Sequence, residues 1–333
     1  MTRKAPADAA ETTGTVLSIK DLTIDAGPVD EPLRLVDGFS LEVGAGERVA
    51  LVGESGSGKS VTARAVLRLD PGFRLNGSIR LAGQEVLKLK PNELTRIRGR
   101  KVGMVFQDPL SSLNPLMTIG AQVMEPLLIN GVGKKEAQHR AEAVLDELGV
   151  VNAAQRMKAY PHEFSGGMRQ RVVLAMALIA DPALLIADEP TTALDVRVQE
   201  QVLSLLDRVS CDRGLAVLLI THDLGTVAGF ANRVAVMYAG RKVQEDSVDR
   251  LFGDPAHPYT RGLLDAVPRM DRVVHRLTTI PGAPPHPGAR PTGCAFHPRC
   301  PKAMDKCKVD IPVLAPAPAG GLVACHLYDG ELS

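Results

Sequence analysis

Gly53-Glu54-Ser55-Gly56-Ser57-Gly58-Lys59-Ser60 follows the apolar run Arg48-Val49-Ala50-Leu51-Val52 and precedes a stretch, Val61 to Leu69, that can continue as a helix. The octapeptide satisfies G-x-x-x-x-G-K-[ST] at every fixed position, and a strand before it with a helix after it is the context that pattern requires. Glycines let the backbone curl so that successive N–H groups and the helix N-terminus point at phosphate oxygens. Lys59 then supplies a point charge and Ser60 a hydroxyl ligand for Mg²⁺. The stretch predicts a nucleoside triphosphate site where a buried parallel strand ends, and with it an α/β core.

Composition narrows what else the chain can be. Its 333 residues exceed one ordinary domain, so one large unit with an appendage is expected. Basic and acidic side chains balance at 39 to 38, and the net charge of +1 gives no polyanion footprint. Aromatic residues make up 3% with no Trp, which offers no base-stacking platform, so nucleic acid is not the expected partner. Met1 to Gly14 is polar, lacks the apolar core of a secretory signal and reads as a disordered tail. The longest apolar runs, Val172 to Ala180 and Ala183 to Ala187, are split by Asp181-Pro182 and are too short to span a bilayer, so membrane association must go through a partner.

Read in order, Val16-Leu17-Ser18-Ile19 and Leu41-Glu42-Val43 predict a small β layer ahead of the phosphate loop, and Gly77 to Gly83 another strand. Lys101 to Phe106 is an apolar run ending at Gln107, a residue able to orient water or metal. From about 110 to 165 the period becomes helical, with Ala137, Ala141, Val144, Leu145 and Leu148 on one face. That insert ends in Ser165-Gly166-Gly167-Met168, a turn that opens a helix and makes a second anion-binding N-terminus. The apolar strand Ala183 to Ala187 delivers Asp188 and Glu189 at the sheet edge where ligands bind, Asp188 for the Mg²⁺ shell and Glu189 to orient or deprotonate water. Val198, Val202, Leu205, Leu206 and Val209 share a helix face, and Ala216 to Ile220 predicts a buried strand ending near His222, which can reach a γ-phosphate.

The order of these motifs resembles the ATP-binding subunits of ATP-binding cassette (ABC) transporters through most of residues 16 to 265. Gln107 falls where that family has its Q-loop, Ser165-Gly166-Gly167 its signature, Ala193-Leu194-Asp195 its D-loop and His222 its switch. Phe106-Gln107-Asp108-Pro109, Ser112-Leu113-Asn114-Pro115, Met168 in the signature, His257-Pro258-Tyr259-Thr260 and the Pro- and Cys-rich tail are similar to the oligopeptide, dipeptide and nickel importer ATPases. The resemblance implies a RecA-like P-loop core with an antiparallel β layer, a helical subdomain and a Cys-rich C-terminal tail. It divides the chain into 1–14, a nucleotide-binding domain over 15–255 and an extension over 256–333.

The same resemblance implies Mg²⁺-dependent ATP hydrolysis in a composite site. The phosphate loop, Asp188, Glu189 and His222 of one cassette would face Ser165 to Gly167 of another. With one phosphate loop in the chain, the implied assembly has a second ABC ATPase subunit, two integral-membrane permease subunits and an extracytoplasmic substrate-binding protein. The chain would then sit peripherally on the cytoplasmic face of the membrane. It departs from the family at Ala26, near where an aromatic residue normally stacks on adenine.

Four of the five cysteines, Cys294, Cys300, Cys307 and Cys325, lie beyond residue 290 with spacing C-x₅-C-x₆-C-x₁₇-C. Four thiolates suit a tetrahedral Zn²⁺ or an iron–sulfur cluster, and either could order a segment too rich in proline to build its own core. The absence of a tight C-x₂₋₄-C pair favours the cluster over zinc, and the resemblance points to a 4Fe-4S centre. Free reduced thiols are the alternative. Cys211, near a helix end, reads as a buried structural thiol.

Overall fold

The computed structural model describes residues 14–107, 112–191, 195–267 and 279–330. Residues 1–13 of the expected tail, Asp108-Pro109 and Ala193-Leu194 lie outside that set. Two sheets organise the described residues. Thr15–Ala26 (β1), Leu33–Gly44 (β2), Arg74–Leu81 (β4) and Gln84–Glu85 (β5) form an antiparallel layer in the order β2-β1-β4-β5. The main sheet is built on Arg48–Val52 (β3), Val102–Val105 (β6), Leu184–Asp188 (β7), Ala216–Thr221 (β8) and Arg233–Tyr238 (β9), all parallel in the order β9-β3-β8-β7-β6. Arg241–Ser247 (β10) turns back antiparallel on β9.

The unbroken apolar runs 49–52, 184–187 and 216–220 within β3, β7 and β8 have a direct cause: each strand is covered on both faces, so these residues are buried whichever way they point. Leu184, Ile186, Leu218 and Ile220 face a core shared with the antiparallel layer and the helix Lys59–Val66. Leu185, Ala187, Val217 and Leu219 face the opposite core, shared with the helical insert. That insert contains the helices Ile119–Ile129, Lys134–Glu147 and Ala153–Arg156, and buries Ala137, Ala141, Val144, Leu145 and Leu148 along the stripe expected from their spacing. The following helix, Gly166–Leu178, lies so close to β6 that a Cβ on Gly103 would fall 2.2 Å from the carbonyl oxygen of Ala177.

Beyond residue 255 the chain returns to the main sheet instead of trailing from it. Leu322–Val323 (β12) pairs with β10, and Ala315–Pro316 (β11) pairs with β12, both antiparallel. A third core joins Ala50 and Val52 of β3 to Tyr238, Tyr259, Leu264 and Phe296. The tail is therefore ordered by sheet extension and aromatic burial, which sequence pattern did not reveal. Cys211 is exposed, contrary to its expected burial. The helix Val196–Arg213 buries Val202, Leu205, Leu206 and Val209, and a residue two positions past Val209 points away from that stripe. Among the described residues, no helix is long and apolar enough to cross a membrane.

Candidate nucleotide-binding and hydrolysis site

β3 runs directly into the glycine-rich loop, which leaves no room for a side chain at Gly53 and takes a left-handed backbone at Gly58. Gly53 has φ +154°, and a Cβ there would lie 2.2 Å from the carbonyl oxygen of Met237 on β9. Gly58, at φ +106°, immediately precedes the helix and would meet Met237 Cε at 2.8 Å. Ser57 closes the turn, its N–H donating to Glu54 O (3.2 Å) and its carbonyl accepting from Gly240 N (2.8 Å). Lys59 is buried, and its ammonium donates to Gly53 O at 2.7 Å and Glu54 O at 3.0 Å. Burial pulls its pKa below the ordinary lysine value, while Glu189, Asp188 and Glu54 push the other way.

The two carboxylates arrive from the end of β7. Asp188 is buried and accepts from Ser60 Oγ at 2.9 Å. Burial raises its pKa, with the Ser60 hydrogen bond opposing the shift. These hard oxygen donors suit Mg²⁺, which typically takes one or two protein carboxylates and completes its shell with phosphate and water. Both carboxylate oxygens of Glu189 are engaged: Gln107 Nε2 donates to Oε2 (3.0 Å), and His222 Nδ1 lies 3.0 Å from Oε1. Gln107, Asp188, Glu189 and His222, spread over 116 positions of sequence, thus meet at the C-terminal edge of the parallel sheet beside Lys59 and Ser60.

Ser165, Gly166 and Gly167 lie elsewhere. Ser165 caps the helix Gly166–Leu178, its Oγ accepting from Met168 N at 3.4 Å. Together with Arg156, Arg171 and Asp195 these residues line a groove of about 590 Å³ to which the phosphate loop contributes nothing. Asp195 caps the next helix, its Oδ1 accepting from Val198 N at 3.0 Å. Within one chain the glycine-rich turn and the phosphate loop do not form one site. Ala26, at the end of β1, brings no ring, as its identity requires.

Around Glu54 the structure adds partners that local sequence gave no reason to select: Tyr259 Oη accepts its N–H, and Arg299 grips its carboxylate. The tail cysteines are another departure. All four are free thiols, and among the described residues no group of three or more His, Cys, Asp or Glu side chains is disposed to hold a metal ion. The expected four-thiolate Zn²⁺ or iron–sulfur centre is thus unsupported by ligand geometry, and the reason for expecting it, a tail unable to order itself, does not hold. The Cys325 thiol is pushed up to about 11, chiefly by burial, with repulsion from Cys294, Cys300 and Cys307 adding to it.

A parallel sheet presenting a buried loop lysine, a Ser–Asp pair and a glutamate between an amide and an imidazole defines a P-loop nucleoside triphosphatase of the ATP-binding cassette class. The ABC transporter family matches residues 36–192, and the oligopeptide/dipeptide transporter C-terminal region matches residues 243–307. The oligopeptide transport ATP-binding protein AppD of Bacillus subtilis is 47% identical over 95% of this chain and 98% of its own length. OppD of Salmonella typhimurium is 46% identical over 97% of each. The dimeric ATP-binding cassette MJ0796, solved in a post-hydrolysis state bound to ADP and Pi, superposes with a TM-score of 0.62 at 29% identity, covering 70% of this chain and 98% of that one. The chain belongs to the ABC transporter ATPases, in the branch that carries the oligopeptide/dipeptide transporter C-terminal region.

The helix bearing Tyr259 begins at His257, a buried residue whose Nδ1 accepts Tyr259 N–H at 3.0 Å and whose own N–H donates to Gln244 Oε1 at 2.9 Å. Burial lowers its pKa from 6.5 to about 4, so the folded chain holds the neutral ring while the unfolded chain takes a proton near pH 6.5. This contribution is complete above pH 6.5 and is lost as pH falls from 6.5 towards 4. We expect urea denaturation to show the parent losing about 2 kcal/mol more than His257→Asn between pH 7 and pH 5. Equal losses would show that His257 is not the group responsible.

Proposed function

We propose that this chain is the ATP-hydrolysing subunit that energises an importer of oligopeptides or dipeptides, docked peripherally on the cytoplasmic face of the membrane. Residues 15–255 would act as the nucleotide-binding domain, with the helical subdomain at about 110–165, and 256–333 as its extension. The observation that carries the hydrolytic reading is the Glu189 carboxylate, held by Gln107 and His222 next to the Ser60–Asp188 pair. Residues 53 to 60 cradle the phosphates, and Lys59 leaves its loop carbonyls to meet the β- and γ-phosphate oxygens. Ser60, Asp188 and Gln107 would hold Mg²⁺, which would supply charge neutralisation at the phosphates. Glu189 accepts the proton of the attacking water, and His222 keeps that carboxylate oriented and reaches the γ-phosphate. Ser165, Gly166, Gly167 and Asp195 line a groove that includes no residue of this loop, which supports a second ABC ATPase subunit whose ATP they would complete. Two permease subunits and a substrate-binding protein make up the rest of the assembly.

Removing the base should separate chemistry from binding. In the assembled transporter, Glu189→Gln is expected to lower ATP turnover at least a hundredfold while Mg-ATP stays bound. Lys59→Ala should instead weaken nucleotide binding about ten- to a hundredfold. Turnover at the parental rate in Glu189→Gln would remove Glu189 from the role of base.

For the tail we propose an iron–sulfur cluster on Cys294, Cys300, Cys307 and Cys325. Its support is the C-x₅-C-x₆-C-x₁₇-C spacing together with a fold that brings two of the four cysteines side by side, Cys294 N–H donating to Cys307 O at 2.9 Å. A polynuclear cluster, unlike one tetrahedral ion, does not need its four thiolates to converge on a single point. Anaerobically purified chain should contain iron and acid-labile sulfide with broad visible absorption, lost when Cys300 and Cys307 become Ser. Folded parent without iron would refute the cluster.

A further inference from the structure

Residue 54 is held at all three of its polar groups. Its N–H donates to Tyr259 Oη at 2.8 Å, and its carbonyl accepts the Lys59 ammonium at 3.0 Å. Its carboxylate meets the Arg299 guanidinium at two points, Nη1 to Oε2 at 2.7 Å and Nη2 to Oε1 at 2.9 Å. Two of these three restraints come from beyond residue 255, across 205 and 245 positions of sequence.

Arg299 is itself immobilised. Its side chain is 6% exposed, against 26% for Glu54. Arg299 Nε donates to Pro281 O at 2.8 Å and Nη1 to Tyr238 Oη at 3.3 Å. Its guanidinium carbon lies 5.9 Å from the ring centre of Tyr238 and 6.0 Å from that of Phe296. The rings of Tyr238, Tyr259 and Phe296 pack on one another with centroids 4.6 to 5.3 Å apart. Exposed ion pairs fix little, because each partner keeps its rotamers and its water. A two-point guanidinium–carboxylate pair with its guanidinium buried and braced by three rings fixes both position and orientation.

The carbonyl that parks Lys59 and the N–H that continues the loop belong to the residue gripped by this cluster. A phosphate loop whose backbone is already set binds anionic oxygens without first losing conformational freedom. We propose that Arg299 is a positioning residue for ATP: from the C-terminal lobe it holds Glu54, and through Glu54 it presets the phosphate loop. The proposal rests on the ATP-site reading above and extends it to a part of the chain that does not itself touch nucleotide.

The test is a titration of the full-length chain with a fluorescent Mg-ATP analogue, beside thermal unfolding without nucleotide. Arg299→Met should raise Kd about five- to twentyfold, and Arg299→Lys, which keeps the charge but not the fork, should recover part of that. Glu54→Gln should have a similar effect, and Glu54→Gln with Arg299→Met should bind no worse than the weaker single variant. A purely structural Arg299 would lower Tm and leave Kd alone, which overturns the proposal, as do additive effects in the double variant. Should Arg299→Met fail to fold, Arg299→Lys and Glu54→Gln carry the same comparison, and parental Kd in both overturns it. A folded parent that binds no Mg-ATP would defeat the ATP-site reading and this proposal with it. A parent that binds normally beside an unaffected Arg299→Met defeats this proposal alone.

Discussion

Glu189 sits at φ +47°, a left-handed backbone that costs a residue with a side chain about 1–3 kcal/mol unless its surroundings impose it. Glu189 N–H donates to Ile220 O at 2.8 Å, the last ladder bond of the Asp188–Ile220 register between β7 and β8, so pairing continues to residue 189 and the chain turns there. That turn sends the two adjacent carboxylates to different tasks, Asp188 to Ser60 and Glu189 to the gap between Gln107 and His222. An extended residue at 189 would put the second carboxylate on the opposite face of the strand, away from both partners. The rest of the site is arranged around the end of this strand.

Three cores converge on the strands that feed it. β3 gives Val49 and Leu51 to the core under the antiparallel layer and Ala50 and Val52 to the one under the C-terminal lobe, while β7 divides its residues between the antiparallel layer and the helical insert. The strands that deliver the phosphate loop and the two carboxylates, each five residues long, are thus packed into a core on both faces. The C-terminal lobe belongs to this frame, because it adds β12 and β11 to the main sheet and packs Phe296 against Tyr238 and Tyr259.

Most of the core was legible in the sequence because its signals are local. A glycine-rich loop between a β-branched run and a helix needs no distant partner to be recognised, and strands buried on both faces announce themselves as unbroken apolar runs. The spacing of Ala137, Ala141, Val144 and Leu145 likewise gave the buried face of its helix. The ties of Glu54 were not legible. In the motif it is a free position, and its partners lie more than 200 residues away, so no periodicity or spacing links them. The tail misled for a related reason: its prolines and cysteines suggested a segment without a core, whereas its order comes from an edge strand and from the packing of its own Phe296 on Tyr259 and on Tyr238 of β9. Cys211 was misplaced because thiols are usually buried, and here the apolar stripe of the helix, not the residue type, decides which face is covered.

The central claim is that this chain holds one half of a composite hydrolytic site. The direct measurement is ATP turnover per chain as a function of protein concentration, first for the purified subunit and then with a second cassette subunit and the permeases added. The account predicts negligible turnover by the subunit alone and activity that appears on assembly. Robust turnover by the isolated chain, independent of its concentration, would contradict it.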